Sequence, residues 1–162
     1  MTNMYTQLDL FSQVITPHRW ATPVFRLELV RERELDTPFV TTPSDVALLF
    51  CDYLARCDRE HLVVAMFTAA NQLIGLSTVH IGALTTSLAS VRDSFKTALI
   101  ANAASIVIGH NHPSGSTEPS REDIAVSKRL AEAGKLMEIP LMDSLIIGYE
   151  GKYTSLVERG LL

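Results

Sequence analysis

Hydrophobic positions recur along this chain with two spacings, near 2 and near 3.6 residues, and the segments that follow each spacing alternate. Phe25-Arg26-Leu27-Glu28-Leu29-Val30-Arg31 alternates apolar and polar at first and predicts a half-buried strand. Thr42-Pro43-Ser44-Asp45 then reads as a helix start. Thr42 can cap, Pro43 suits the first helical position, and Asp45 faces the positive end of the helix. Val46, Leu49, Phe50, Tyr53, Leu54 and Cys57 follow at helical spacing, and Cys51 falls off that stripe. Leu62–Phe67 is a short apolar run fit for a buried strand. Ala69-Ala70-Asn71 makes a turn, and the Leu, Ile, Thr and Val of Gln72 to Ile81 complete a hairpin.

The second half continues the pattern. Between Leu88 and Ala103, the positions Val91, Phe95, Ala98, Leu99 and Asn102 mark a helix with a mostly apolar inner face. Ser105–Ile108 is another buried strand. A helix starts at Ser120, turns Ile124, Leu130 and Ala131 inward, and stops at Gly134 or soon after. Leu141–Ile147 and Tyr153–Leu156 are two closing strands around the Glu150-Gly151 turn. Interleaved helices and strands with a hairpin predict a mixed α/β domain whose sheet is flanked by helices. Residues 1–24 contain the turn-prone Ala21-Thr22-Pro23 and form an N-terminal arm; residues 25–162 form the domain.

Composition narrows this picture. At 162 residues the chain is one domain's length. Size scaling has such a domain bury about 69% of its unfolded surface, so its core needs no disulfides. Its 47% hydrophobic and 20% charged residues exclude a disordered chain. Fourteen Lys and Arg stand against eighteen Asp and Glu with no basic run, which argues against direct duplex binding. Cys51 and Cys57 are too few for a disulfide framework, and their spacing is no metal knuckle. The start lacks a secretory pattern, and no window approaches 18 uninterrupted apolar residues. The expectation is a reduced, cytoplasmic domain with no membrane association.

The chemistry gathers in His110-Asn111-His112-Pro113-Ser114-Gly115-Ser116-Thr117-Glu118-Pro119-Ser120-Arg121-Glu122-Asp123. Residues i and i+2 of an extended strand share a side, so His110 and His112 can offer two imidazoles to one point. Pro, Ser and Gly then reverse the chain, and Asp123 in the next helix's first turn can bring a carboxylate there. Two His and one Asp make a three-ligand zinc site with the fourth position open to water. The blander reading stands beside it. Ser120 and Asp123 also make an ordinary helix start, and His-x-His can serve packing or solvent.

The spacing His-x-His, seven residues, Ser, two residues, Asp is similar to the metal motif of the JAMM (MPN+) metalloproteases. The words His-Asn-His-Pro-Ser-Gly and Pro-Ser-Arg-Glu-Asp resemble the RadC family of bacterial JAB-domain proteins. So do Asn102-Ala103-Ala104-Ser105, Arg92 with Lys96 and Ala98-Leu99, Ala133-Gly134 and the closing Gly160-Leu161-Leu162, so the likeness runs from about Phe25 to Leu162. The resemblance implies an MPN/JAB-like fold, a cytidine-deaminase-like three-layer arrangement of a mixed sheet between helices. It implies one zinc ion on His110, His112 and Asp123. It places Ser120 at the motif serine, which assists the reacting water or the tetrahedral intermediate. Arg59-Glu60-His61 matches the upstream Glu-His, which makes Glu60 the general base; by itself it is a solvated charge at a strand start. The implied activity is metal-activated hydrolysis of a peptide or isopeptide bond in a protein or peptide substrate. The family's label is DNA repair.

Three other histidines, His18, His61 and His80, are left outside the site; in a regular strand His61 faces away from Glu60. Two departures from the RadC pattern stand out. Ser144 follows Asp143 where the family has His, and Val91-Arg92-Asp93 replaces Pro-Arg-Glu. The first 24 residues are too short for the helix-hairpin-helix region that RadC proteins often carry. Two alternatives to the enzyme remain: a non-catalytic MPN-fold interaction module, and a DNA-repair or mobile-element accessory protein. The arm can cover the site, join two copies as a homodimer, or do neither.

Overall fold

The computed structural model describes residues 24, 26, 28–32, 40, 42–54, 57–82 and 90–162. Three helices and five strands form among them: α1 (Pro43–Leu54), β1 (His61–Phe67), β2 (Leu73–Ile81), α2 (Val91–Ile100), β3 (Ser105–Asn111), α3 (Arg121–Leu136), β4 (Leu141–Ile147) and β5 (Tyr153–Ser155). The sheet order is β2-β1-β3-β4-β5. Pairing is antiparallel except between β3 and β4, which run parallel. A parallel pair needs a crossover, and α3 supplies it.

Both faces of the sheet are covered, giving the three-layer mixed α/β architecture expected for an MPN-like domain. On one face Leu62, Val64, Met66, Ile106 and Ile108 pack with Phe95 and Ala98 of α2 and Val126 and Leu130 of α3. On the other, Val63, Ala65, Val107, Leu145 and Ile147 pack with Val46, Ala47, Phe50 and Leu54 of α1. The continuous apolar runs of β1 and β3 follow from this, because central strands bury both sides. Cys51, on α1, and Cys57, just after it, are half-buried and form no disulfide.

Local signals explain the boundaries. At α1, Asp45 N–H donates to Thr42 Oγ1 (3.2 Å) and Thr42 N–H donates back to Asp45 Oδ2 (2.7 Å), a reciprocal cap. Ser90 caps α2. That helix ends before Asn102, which adopts the left-handed conformation (φ 51) while Ala103 N–H returns to the Ala98 carbonyl (2.9 Å). Asn102 is therefore a helix stop and not an inward residue, and Leu99 is 51% exposed. On α3 the buried stripe is Asp123, Val126, Ser127, Leu130 and Gly134. Ile124 and Ala131, expected inward, sit at its margins, half-buried.

The strand expected over Phe25–Arg31 is corrected. Among its described residues, Arg26 and Glu28–Arg31 are exposed and belong to no strand; Phe25 and Leu27 lie outside the described residues. Alternation alone does not make a strand, which needs a ladder partner. The arm expected over residues 1–24 also lies outside them, apart from Val24. No helix among the described residues is long and apolar enough to cross a membrane.

One irregularity has consequences for the site. Between β3 and β4 the register passes from Ile106↔Leu141 to Val107↔Asp143, leaving Met142 as an extra residue. Leu141 therefore faces the α2/α3 layer, whereas Leu145 and Ile147 face α1. The shift leaves Ser144 opposite Ile108, on the α3 side.

Gly134 offers a test of packing against propensity. Alanine is the better helix former by roughly 1 kcal/mol. A Cβ at Gly134, however, would lie 2.6 Å from the Ile139 carbonyl oxygen and 3.2 Å from the Leu141 nitrogen, both backbone. Gly134→Ala is expected to destabilise by roughly 1–3 kcal/mol, read as a lower urea midpoint. A raised midpoint would contradict this packing.

Candidate metal centre

β3 lies between β1 and β4 and carries His110 into the interior at its last turn of ladder; His110 is 2% exposed. His112 follows the strand's end and stays pinned by its N–H to the Ile147 carbonyl (3.1 Å). The chain then reverses through Pro113-Ser114-Gly115, closed by Gly115 N–H donating to the His112 carbonyl (2.8 Å). Gly115 has φ +75, and a Cβ there would lie 2.2 Å from the Tyr149 ring. The Tyr149 hydroxyl donates to the Pro113 carbonyl. The loop after β4 thus clamps the loop that carries His112.

The reversal feeds into α3. Ser120 caps it: Asp123 N–H donates to Ser120 Oγ (3.1 Å), while Ser120 N–H and Oγ–H both donate to Asp123 Oδ2 (2.7 Å each). This satisfies two of the helix's free N–H groups and pins the carboxylate. Asp123 is 3% exposed and turns Oδ1 towards His110 Nε2 (3.2 Å). His112 Nε2 lies 3.1 Å from His110 Nε2 and 3.5 Å from Asp123 Oδ2.

Glu60 arrives from β1. The antiparallel register sets Leu62 opposite His110, and Glu60, two residues before Leu62, reaches the same face. Ligand atoms of Glu60, His110, His112 and Asp123 all lie within 4.8 Å of one another. The structure brings together all four predicted metal and base residues, with Ser120 bonded to Asp123.

The donor set fits an ion. Tetrahedral zinc with ligand bonds near 2.05 Å needs donor atoms about 3.3 Å apart. His110 Nε2 lies 3.1 Å from His112 Nε2 and 3.2 Å from Asp123 Oδ1, close to that value, while the 3.5 Å approach of His112 is to the other carboxylate oxygen, Oδ2. His112 Nδ1 donates to the Ser116 carbonyl (2.9 Å), which leaves Nε2 as its ligand atom. The electrostatics agree. Burial opposes the Asp123 charge, yet the two imidazoles and the Ser120 hydroxyl hold this carboxyl well below the usual range. The Asp123 carboxylate beside His112 raises the imidazole's pKa against its burial, with help from the Ser116 carbonyl and the charge of Glu60.

Residues 40–161 match the family model described as the RadC-like JAB domain. The chain belongs to that family. It is 44% identical over 140 residues to a UPF0758 protein of Rubrobacter xylanophilus, covering 84% of this chain and 61% of that protein. A UPF0758 protein of Moorella thermoacetica is 44% identical over 128 residues, with 79% and 56% covered. UPF0758 protein TTE0897 of Caldanaerobacter subterraneus is 44% identical over 121 residues, with 75% and 52% covered. The chain spans between 52% and 61% of the length of these relatives.

Among the described residues of this JAB domain, the other two histidines, His61 and His80, are not part of the cluster. His61 turns Nδ1 to the Arg59 carbonyl (2.9 Å). His80 pairs with Leu62 across β1–β2. His18 lies outside the described residues. Sequence reasoning missed one buried neighbour, Ser127. Its hydroxyl donates to the Asp123 carbonyl (2.8 Å) and shares a hydrogen bond with the Ser144 hydroxyl (2.8 Å). Ser127 is four residues after Asp123, so helical spacing was the available signal.

The double duty of Ser120 is measurable without metal. Ser120→Ala removes the cap of α3 and one of the donors to Asp123, with an expected loss of roughly 0.5–2 kcal/mol. Urea unfolding of the metal-free protein reads it. An unchanged midpoint would mean that the cap carries none of the helix's stability.

Proposed function

We propose that this domain is a zinc-dependent hydrolase of peptide or isopeptide bonds, in which His110, His112 and Asp123 hold one ion and Glu60 moves the proton. The observation behind this reading is that the Glu60 carboxylate joins the two imidazoles and Asp123 within 4.8 Å. Two imidazoles with one carboxylate serve zinc and also ferrous iron. A carboxylate poised beside the open position favours the hydrolytic ion, because attack by water needs a proton acceptor.

When bound, zinc supplies a Lewis acid that brings the ionisation of water near neutral pH and polarises a carbonyl. Glu60, half-buried at the mouth of the site, accepts the proton of the attacking water and returns it to the leaving amine. The Ser116 carbonyl keeps His112 in one tautomer. Ser120 sits at the exposed rim with its hydroxyl on Asp123. Turning that hydroxyl towards substrate leaves Ser120 N–H still holding Asp123 Oδ2, so a donor to the developing oxyanion is available without releasing the ligand. A protein or peptide chain is the substrate class.

Two variants separate the roles. His112→Ala is expected to lose stoichiometric zinc in elemental analysis while circular dichroism still shows the fold. Glu60→Gln is expected to keep zinc and to lose about 10²- to 10⁴-fold in turnover on peptides selected from a cleavage library. Unchanged zinc in the first variant refutes the ligand assignment, and undiminished cleavage in the second removes Glu60 from the mechanism. A zinc-loaded wild type that cleaves nothing favours the non-catalytic interaction module.

A further inference from the structure

Between the two ligand imidazoles lies a residue that faces the other way. Strand alternation turns Asn111 from the metal face towards the α1 layer, where it is 8% exposed. Its amide oxygen accepts the backbone N–H of His61 (2.8 Å), and its amide nitrogen donates to the backbone carbonyl of Arg59 (3.0 Å). The residue between those two is Glu60. The partners fix the amide's orientation, since a carbonyl can only accept and an N–H can only donate.

The place of this clamp in the sheet gives it its meaning. The β1–β3 ladder runs from Phe67↔Ser105 to Leu62↔His110 and there stops. Beyond it the Asn111 side chain takes over from the backbone. On the opposite edge Gly82 N–H donates to the Glu60 carbonyl (2.8 Å). Both peptide units that flank Glu60 are thus tied by the Asn111 side chain, and the second is held by Gly82 as well. A carboxamide carries a donor and an acceptor on one short planar group. Asp offers no donor and Leu offers neither.

We propose that Asn111 is a positioning residue for Glu60, holding the proton acceptor in register with the ligands that flank Asn111 in sequence. This rests on the hydrolase reading for Glu60's role. The strand that presents the two imidazoles thereby also mounts the base, and a shift of β3 carries ligands and base together. A misplacement of about 1 Å in such a group can cost about 100-fold in rate.

The test is a four-protein cycle of the 162-residue chain: wild type, Asn111→Leu, Glu60→Gln, and both. Asn111→Leu is expected to lower kcat on the library-selected peptide about 10- to 100-fold with KM unchanged. In the E60Q background it is expected to cost nothing further, because residues acting as one unit are not additive. Equal losses in both backgrounds, or no loss in either, overturn the proposal and leave Asn111 a fold residue. The visible spectra of the four cobalt-loaded proteins give a readout that needs no substrate. Asn111→Leu is expected to move the cobalt bands towards those of E60Q, and the double variant to match E60Q. Bands unmoved by Asn111→Leu, or by Glu60→Gln itself, overturn the proposal even if the wild type cleaves no peptide. If Asn111→Leu does not fold, Asn111→Ser, which leaves room for water on the Arg59 and His61 backbone groups, is put through the same cycle.

Discussion

One carboxylate, that of Asp123, joins the helix α3 to the end of strand β3. It is nearly inaccessible, and an isolated charge so placed would cost several kcal/mol. Two donors and two imidazoles surround it: the Ser120 N–H and hydroxyl donate to Oδ2, His110 Nε2 lies 3.2 Å from Oδ1, and His112 Nε2 lies 3.5 Å from Oδ2. The positive end of the α3 dipole adds to them. Each partner therefore positions the others. The cap that starts the helix aims the carboxylate, and the carboxylate draws the two imidazoles towards one point. A candidate metal site and a helix N-terminus here share one carboxylate.

The scaffold serves that point by removing freedom around it. β3 has neighbours on both sides, and its register with β1 sets Leu62 opposite His110, two residues after Glu60. The loop after β3 is held by the loop after β4, and glycines mark the two closest approaches. A Cβ on Gly115 would enter the Tyr149 ring, and one on Gly148 would lie 2.6 Å from the Gly115 carbonyl oxygen. Deeper in, Gly109 lets Phe50 of α1 press against the backbone next to His110. Rigidity of this kind is what a site of four converging side chains needs, because each ligand set loose would also free its neighbours.

Much of this was legible in the chain, and for identifiable reasons. β1 and β3 announce themselves because strands buried on both faces read as unbroken apolar runs. The convergence of these three side chains was legible because strand period and helix start are both local rules: one places His110 with His112, the other puts Asp123 in a first turn. Glu60 was not legible from local rules. Its approach depends on pairing β1 with β3, some fifty residues apart, and only the resemblance to RadC proteins pointed to it. The expected strand over Phe25–Arg31 failed on the same ground, since alternation describes a strand's faces and says nothing of its partner. The extra residue Met142 in β4 was equally hidden, because a bulge leaves no local composition.

That bulge decides what the departure at Ser144 does. In the RadC pattern a histidine stands there. In this chain the hydroxyl at that position is fully buried and bonds to Ser127, and Ser127 donates to the main-chain carbonyl of Asp123, not to its carboxylate. The link is neutral and ends on the backbone of the first helical turn. It ties the first turns of α3 to β4 without adding or removing charge at the cluster. The ionisation of Asp123 rests on Ser120 and the two imidazoles, none of which touches Ser144 among the described hydrogen bonds. The substitution therefore changes a support beneath the helix and leaves the donor set intact. For that reason the missing histidine weighs less against metal binding here than the sequence comparison by itself would indicate.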